Sequence, residues 1–464
     1  MGHNAGRLVE FEDAMSRAER TLLILLIAAY LIVGGLFAAR TAAWQAPDEP
    51  AHYNYVAQVA TNGCCPTLEP GDWDSAYLDQ LKTDRFSPEL LGGLTAIQYE
   101  DHQPPLYYLL ASVVYRLGDG SLIALRLFSV VIGAGVVLGA YAVGKALLPD
   151  QPQIALGTAA VVAFVPQHTA MLAAVNNDGL AELFVAVTLW LTIVYLKTER
   201  VRAWQLGILV GLGLLTKVST IFMAGLVPLA ILAKWGINRR ESGARYIVPL
   251  RALIAFAIPA LVLGGVWWAR NISVYGFPDL FGLARHNLVV ADQPRTADRI
   301  AEVGVGEYLR LGAEETFDSF WGQFGWMALP LQSWTYALIL LFLIAALAGW
   351  VVGFRAQHAA PLRVTSGTIQ RAAWGVVIVA GLLALAQYAY YNTEFLQFQG
   401  RYLYPGLIPF GLWIALGVDG WRRMIFGQDE RTAVRRYIGV GIMAGLLVAL
   451  DLYILWRVIP GLAP

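Results

Sequence analysis

The chain has 464 residues and a formal net charge of zero, 33 basic side chains balancing 33 acidic ones, so no basic surface points to nucleic acid as a partner. Hydrophobic residues make up 57% and charged residues 14%, with a mean hydropathy of +0.55, which excludes an ordinary soluble domain. Apolar runs of about 20 residues recur without strict alternation, so the expected class is an all-α polytopic membrane protein rather than a β-barrel.

About eleven spans are expected, at 21–39, 122–147, 153–172, 179–196, 203–216, 218–235, 246–268, 334–354, 371–391, 402–418 and 437–456. The first run follows Arg17 and Arg20, and its apolar core is longer than the 7–15 residues of a signal peptide, so an uncleaved anchor is expected. Residues 203–235 exceed one span and are read as a hairpin turning near Thr216-Lys217. That turn leaves the basic clusters before and after it on one face, as the positive-inside rule prefers. With the N-terminus inside, most Lys and Arg lie in cytoplasmic segments and most acidic residues outside, which suits the plasma (inner) membrane of a bacterium.

The chain is read as one membrane domain, 1–464, with two long extracytoplasmic loops at 40–121 and 269–333. The apolar run 104–117 is too short to span and suits a helix lying along the interface. No repeat of 20–50 residues and no pair of similar halves is visible, which disfavours a transporter built by duplication. Cys64 and Cys65 are adjacent, a spacing expected neither to close a relaxed disulfide nor to supply a zinc motif.

Polar residues gather at the outer ends of the spans. Asp48-Glu49 follows the first span and leads into His52 and Tyr53. Two adjacent carboxylates at a partly desolvated boundary should raise one pKa, a property suited to a general base. The plainer alternative is a solvated loop start in which Asp48 caps a helix. Glu100, Asp101, His102 and Gln103 stand before Pro104-Pro105, which suit the first turn of the interfacial helix. Asn176-Asn177-Asp178 fill a third connection, where Asp178 as a helix cap is the plain reading.

Lys217, Arg270 and Arg401 lie at the same level, either snorkelling to headgroups or supplying donors for a phosphate. Trp321, in an aromatic stretch of the second loop, suits an interfacial belt or a sugar-stacking platform. His52, His102 and His168 could converge on a divalent metal, which the residues leave open. A lipid or solute transporter is the alternative class; it predicts ionisable residues within the spans, where only Asp451 and Arg251 are candidates.

This arrangement resembles the GT-C superfamily of membrane glycosyltransferases, most of all protein O-mannosyltransferases and lipid A aminoarabinose transferases. The resemblance rests on Asp48-Glu49 after the first span, His102-Gln103-Pro104-Pro105-Leu106 before the interfacial helix, and Asp178 in the next outer connection. Leu215-Thr216-Lys217 and Gly400-Arg401-Tyr402-Leu403-Tyr404-Pro405 are similar to later features of the family. Gln103 stands where the aminoarabinose transferases carry Lys.

The resemblance implies a polyprenyl-phosphate-linked sugar donor, membrane lipids as surroundings, and a glycan, lipid or protein hydroxyl as acceptor. It implies transfer with inversion on the extracytoplasmic side. Asp48 would be the base, with Glu49 its substitute. Lys217, Arg270 and Arg401 would hold the lipid phosphate, with Asp48 and Arg270 in one pocket. His52, Tyr53, Glu100, Asp101, His102, Gln103, Asp178 and Trp321 would orient the substrates.

Overall fold

A computed structural model describes residues 15–242, 247–359, 367–427 and 432–464. In chain order the helices are α1 (Arg17–Arg40), α2 (Glu49–Asn62), α3 (Ser75–Thr83), α4 (Leu106–Leu117), α5 (Leu122–Leu147), α6 (Pro152–Phe164) and α7 (Pro166–Leu172). They continue with α8 (Asp178–Lys197), α9 (Ala203–Leu214), α10 (Phe222–Ser242), α11 (Ile247–Tyr275), α12 (Leu283–Val289) and α13 (Thr296–Val303). The last five are α14 (Val305–Gly322), α15 (Ser333–Ala359), α16 (Thr368–Tyr391), α17 (Leu407–Phe426) and α18 (Ala433–Arg457). A two-residue hairpin, β1 (Gln323–Phe324) with β2 (Leu329–Pro330), is the one sheet among the described residues.

Nine helices among the described residues are long and apolar enough to cross a membrane. The pair α6–α7, bent by 69°, makes a tenth if taken as one span. The expected count of eleven is therefore not met. The difference lies in 203–216: α9 has 12 residues, about 18 Å at 1.5 Å per residue, too short for a hydrocarbon core of about 30 Å. The turn expected near Thr216-Lys217 is present, and a 3-10 turn, Val218–Ile221, follows it before α10 begins.

The bend between α6 and α7 has a local cause. Pro166 has no N–H to offer the Val162 carbonyl four residues back. His168 Nδ1 takes that position at 2.7 Å, and Thr169 Oγ1 donates to Ala163 O at 2.8 Å. Within 104–117, helix α4 is two-faced: Leu109, Leu110, Val113 and Leu117 are exposed, whereas Tyr107, Tyr108 and Ala111 are buried. Pro105 is the residue before its first turn rather than within it.

Helices α15 and α17 approach backbone to backbone. A Cβ at Gly420 would overlap the Gly349 carbonyl, and one at Gly349 would overlap that of Gly417. Small residues are what allow membrane helices to pack this closely. Gly420→Leu is expected to cost about 1–3 kcal/mol, as overpacking does; a melting curve in detergent that matches the wild type would contradict this.

Candidate active site

The loops at one end of the bundle bring together residues far apart in sequence. Asp48 lies between α1 and α2 with a left-handed backbone, φ 64° and ψ −1°, and its side chain makes no helix-capping bond. Instead its carboxylate accepts from Tyr99 Oη at 2.7 Å and from Arg401 Nη2 at 2.5 Å. Burial pushes the Asp48 pKa up, but the Arg401 charge, with nearby His52 and the two hydrogen bonds, outweighs it and holds the group at about 2. The expected upward shift from Glu49 is thus reversed.

Glu49 faces the other way. Its oxygens accept from Arg126 at 2.7 and 2.6 Å, and from the Trp44 and Val175 amides at 3.1 and 3.2 Å. It is fully buried and engaged, which removes it as a substitute base. The left-handed residue before it is what turns two consecutive carboxylates apart.

Four residues after Asp48, His52 Nδ1 meets Tyr108 Oη at 2.8 Å. Burial lowers its pKa against the pull of Glu100, Asp48 and Asp178, so the imidazole stays uncharged near neutrality. Tyr53 leaves the cluster and donates to Gly120 O at 2.7 Å.

Asp178, the first residue of α8, binds Lys217 Nζ at 2.5 Å across the turn after α9. The N-cap is Asn177, so the simple capping role is not Asp178's. Burial alone would lower the Lys217 pKa, but Asp178 and Glu100 raise it, and the lysine is charged. Asn177 Nδ2 donates to Gln103 Oε1 at 3.3 Å and Thr216 O at 3.1 Å, tying three loops together. Glu100 Oε2, Asn177 Oδ1 and Arg401 Nε are buried with no partner. Polar atoms orphaned together are strong candidates to meet a ligand.

Asp101 and His102 form a second group. Asp101 accepts from Gln58 Nε2 at 2.9 Å, and burial raises its pKa to about 8, only partly opposed by that hydrogen bond and by Arg270. His102 packs its ring 4.5 Å from that of His286, and burial holds it well below the usual histidine range.

The cation paired with Asp48 is Arg401 and not Arg270. Helix α11 continues to Tyr275, so Arg270 sits on its last turns between the Trp267 and Tyr275 rings, 4.7 and 5.2 Å from their centroids. There it donates to Pro66 O and Thr67 Oγ1. Trp321 is buried against Phe320 and Phe410.

The three histidines do not converge. His168 Nε2 lies 2.6 Å from Glu182 Oε2 inside the bundle, and no group of three metal-ligating side chains occurs among the described residues. Cys64 and Cys65 are paired with each other across a cis peptide bond.

An apolar cavity of about 700 Å³ opens among α14, α16 and α17, lined by Phe317, Trp321, Leu385, Leu403 and Phe410 among others. Arg401 and Leu403 belong to one 3-10 turn, Gly400–Gly406, so this turn joins the polar cluster to the cavity wall. Tyr99 and Asn177 stood within quoted motifs but were not singled out. Arg126 was missed, although a lone arginine inside an apolar run was its signal.

The described residues thus form a multispan helical bundle with paired carboxylates and cations at the helix ends, beside an apolar cavity. Two crystal structures of ArnT from Cupriavidus metallidurans share the fold. The one bound to undecaprenyl phosphate has a TM-score of 0.51 at 13% identity, over 95% of this chain and 73% of that one. The apo form has a TM-score of 0.54 at 13% identity, over 96% and 74%. Residues 102–263 match the family model described as dolichyl-phosphate-mannose-protein mannosyltransferase. No curated protein matches the chain. The chain thus shares the fold of these two structures, and the matched family segment lies within it.

Proposed function

We propose that the protein transfers a sugar from a polyprenyl-phosphate lipid to an acceptor hydroxyl at the extracytoplasmic face of the membrane. The observation that carries this reading is the 3-10 turn that places Arg401 on Asp48 while its Leu403 lines the apolar cavity. A donor of this class has an insoluble chain and an anionic head, and the turn offers a surface for each. The ArnT crystal structure with undecaprenyl phosphate supports the choice of lipid class.

The ionised Asp48 is the base that receives the proton of the acceptor hydroxyl as its oxygen attacks the anomeric carbon. The bond from that carbon to the phosphate oxygen breaks on the opposite side, so configuration inverts. The departing lipid phosphate carries the charge, and Arg401 and Lys217 are the donors that stabilise it. Glu100 Oε2 and Asn177 Oδ1, unpartnered and buried, accept hydroxyls of the sugar. His52 and Tyr108, bonded to each other, shape the floor.

A phosphate arriving at Arg401 and Lys217 competes with Asp48 and Asp178 for the same N–H groups. Losing Arg401 lets the Asp48 pKa rise, and base efficiency rises with it. The base is therefore strengthened by the binding of the donor.

Incubating purified protein in detergent with radiolabelled polyprenyl-phosphate sugars and candidate acceptors tests the function directly. Label remaining on the donor with every acceptor class would refute it. Filling the cavity with Ala313→Trp is expected to raise the donor KM about tenfold, the value of roughly two buried methylenes. The same change should leave a short-chain donor unaffected. Equal effects on both chain lengths would mean that the tail lies elsewhere.

A further inference from the structure

We propose that Arg126 is a positioning residue for Asp48, acting through Glu49 without touching substrate; this rests on the glycosyltransferase reading above. Arg126 stands one turn inside α5 and is 1% exposed. Its guanidinium makes five hydrogen bonds. Two form the fork to Glu49, Nε to Oε1 at 2.7 Å and Nη2 to Oε2 at 2.6 Å. The others go to carbonyls at the end of α1: Nη1 to Ala38 O at 3.1 Å and Thr41 O at 2.6 Å, and Nη2 to Ala42 O at 3.1 Å. Carbonyls at a helix C-terminus have no partner within the helix, and the arginine supplies one.

Glu49 extends the junction further. The Trp44 amide, which precedes Asp48, donates to one oxygen, and the Val175 amide, which precedes Asp178, donates to the other. A single ion pair thus joins the end of α1, the start of α2, the span α5 and the loop that carries Asp178. Asp48 is the residue next to Glu49 and is held in a left-handed conformation that costs a non-glycine side chain about 1–2 kcal/mol. Its peptide is fixed from two sides. Arg126 holds it through Glu49, and Arg401 with Tyr99 holds the carboxylate itself.

Stability alone gives little reason for this pair. An arginine within a span costs about 2.5–3.5 kcal/mol on insertion scales. Replacing a buried ion pair by apolar side chains of similar volume is often neutral or stabilising. What apolar residues cannot supply is a rigid fork that fixes four segments at once. A misplacement of about 1 Å at a reacting group can lower a rate about 10²-fold.

The test compares the full-length protein with three variants: the apolar double variant E49L/R126M, the single variant R126K, and D48N. The melting temperature, donor KM and kcat are measured for each. The double variant is expected to melt close to the wild type and keep its donor KM, because Arg401 and Lys217 are untouched, while kcat falls about 10²-fold. R126K keeps the charge but has three donors for five acceptors, and an intermediate loss of about tenfold in kcat is expected. An unchanged kcat in the double variant would overturn the proposal. If the double variant does not fold, R126K decides: a lowered melting temperature with wild-type kcat means that the arginine only stabilises. The wild-type and D48N arms separate the two claims: no transfer by the wild type would refute the glycosyltransferase reading, whereas wild-type turnover in D48N would refute Asp48 as the group that Arg126 positions.

Discussion

Asp48→Asn is expected to abolish sugar transfer, with kcat reduced by about 10²–10⁴-fold, the usual contribution of a positioned base. The substitution preserves shape. The asparagine oxygen can accept from Arg401, and its NH2 can donate to the Tyr99 hydroxyl, the two groups that hold the native carboxylate at 2.5 and 2.7 Å. The charge and the ability to take a proton are lost. Donor binding should persist or tighten, because Arg401 is then held by a neutral partner and is freer for the lipid phosphate. Single-turnover transfer alongside binding of the labelled donor separates these effects. A variant that transfers at the wild-type rate excludes Asp48 as base; one that loses binding and turnover together indicates collapse of the pocket instead.

Arg401→Gln should be nearly as damaging, and it should change the pH profile in a way that identifies the cause. In the wild type Asp48 is held at about 2, so its ionised form persists throughout the physiological range. Burial is the largest influence on Asp48 and acts upward. Removing Arg401 takes away the strongest opposing charge, and the pKa should rise above the ordinary aspartate value of about 3.9. The working form is the ionised one, so activity is lost as pH falls through that raised value. The variant should therefore show a new acidic limb that the wild type lacks above pH 4.

Stability follows the same sign. A depressed carboxylate pKa contributes stability that is present above the unfolded value and is lost as pH falls from about 3.9 toward about 2. The variant lacks that contribution at neutral pH. Transfer rates and melting temperatures between pH 4 and 8 test both. An acidic limb in the same place for both proteins would show that Arg401 does not govern Asp48.

Much of this site was legible in the chain because charges at the ends of apolar runs must lie near the membrane boundary. Asp48, Asp178, Lys217 and Arg401 were all found by that rule, and the structure brings them into one cluster. The choice between Arg270 and Arg401 was not legible. Both end or begin a span at the same depth, and depth says nothing about which side of the bundle a residue faces. Glu49 was misread for a local reason: no pattern announces that Asp48 takes a left-handed conformation and turns its neighbour inward. The short α9 was hidden because hydropathy records composition and not where hydrogen bonding stops. Arg126 was passed over because attention to loops treats a charge inside a span as an accident.

The two ion pairs at the centre of the site also bear on discrimination. Arg401 and Lys217 are both occupied before any substrate arrives, by Asp48 and Asp178. A small soluble anion would have to dislodge those carboxylates and would gain nothing else in return. An isoprenoid tail recovers the expense by leaving water for the greasy chamber beside Leu403. Orthophosphate in the surrounding medium should therefore be a poor inhibitor, and the internal carboxylates act as placeholders that yield only to a headgroup arriving on an anchor.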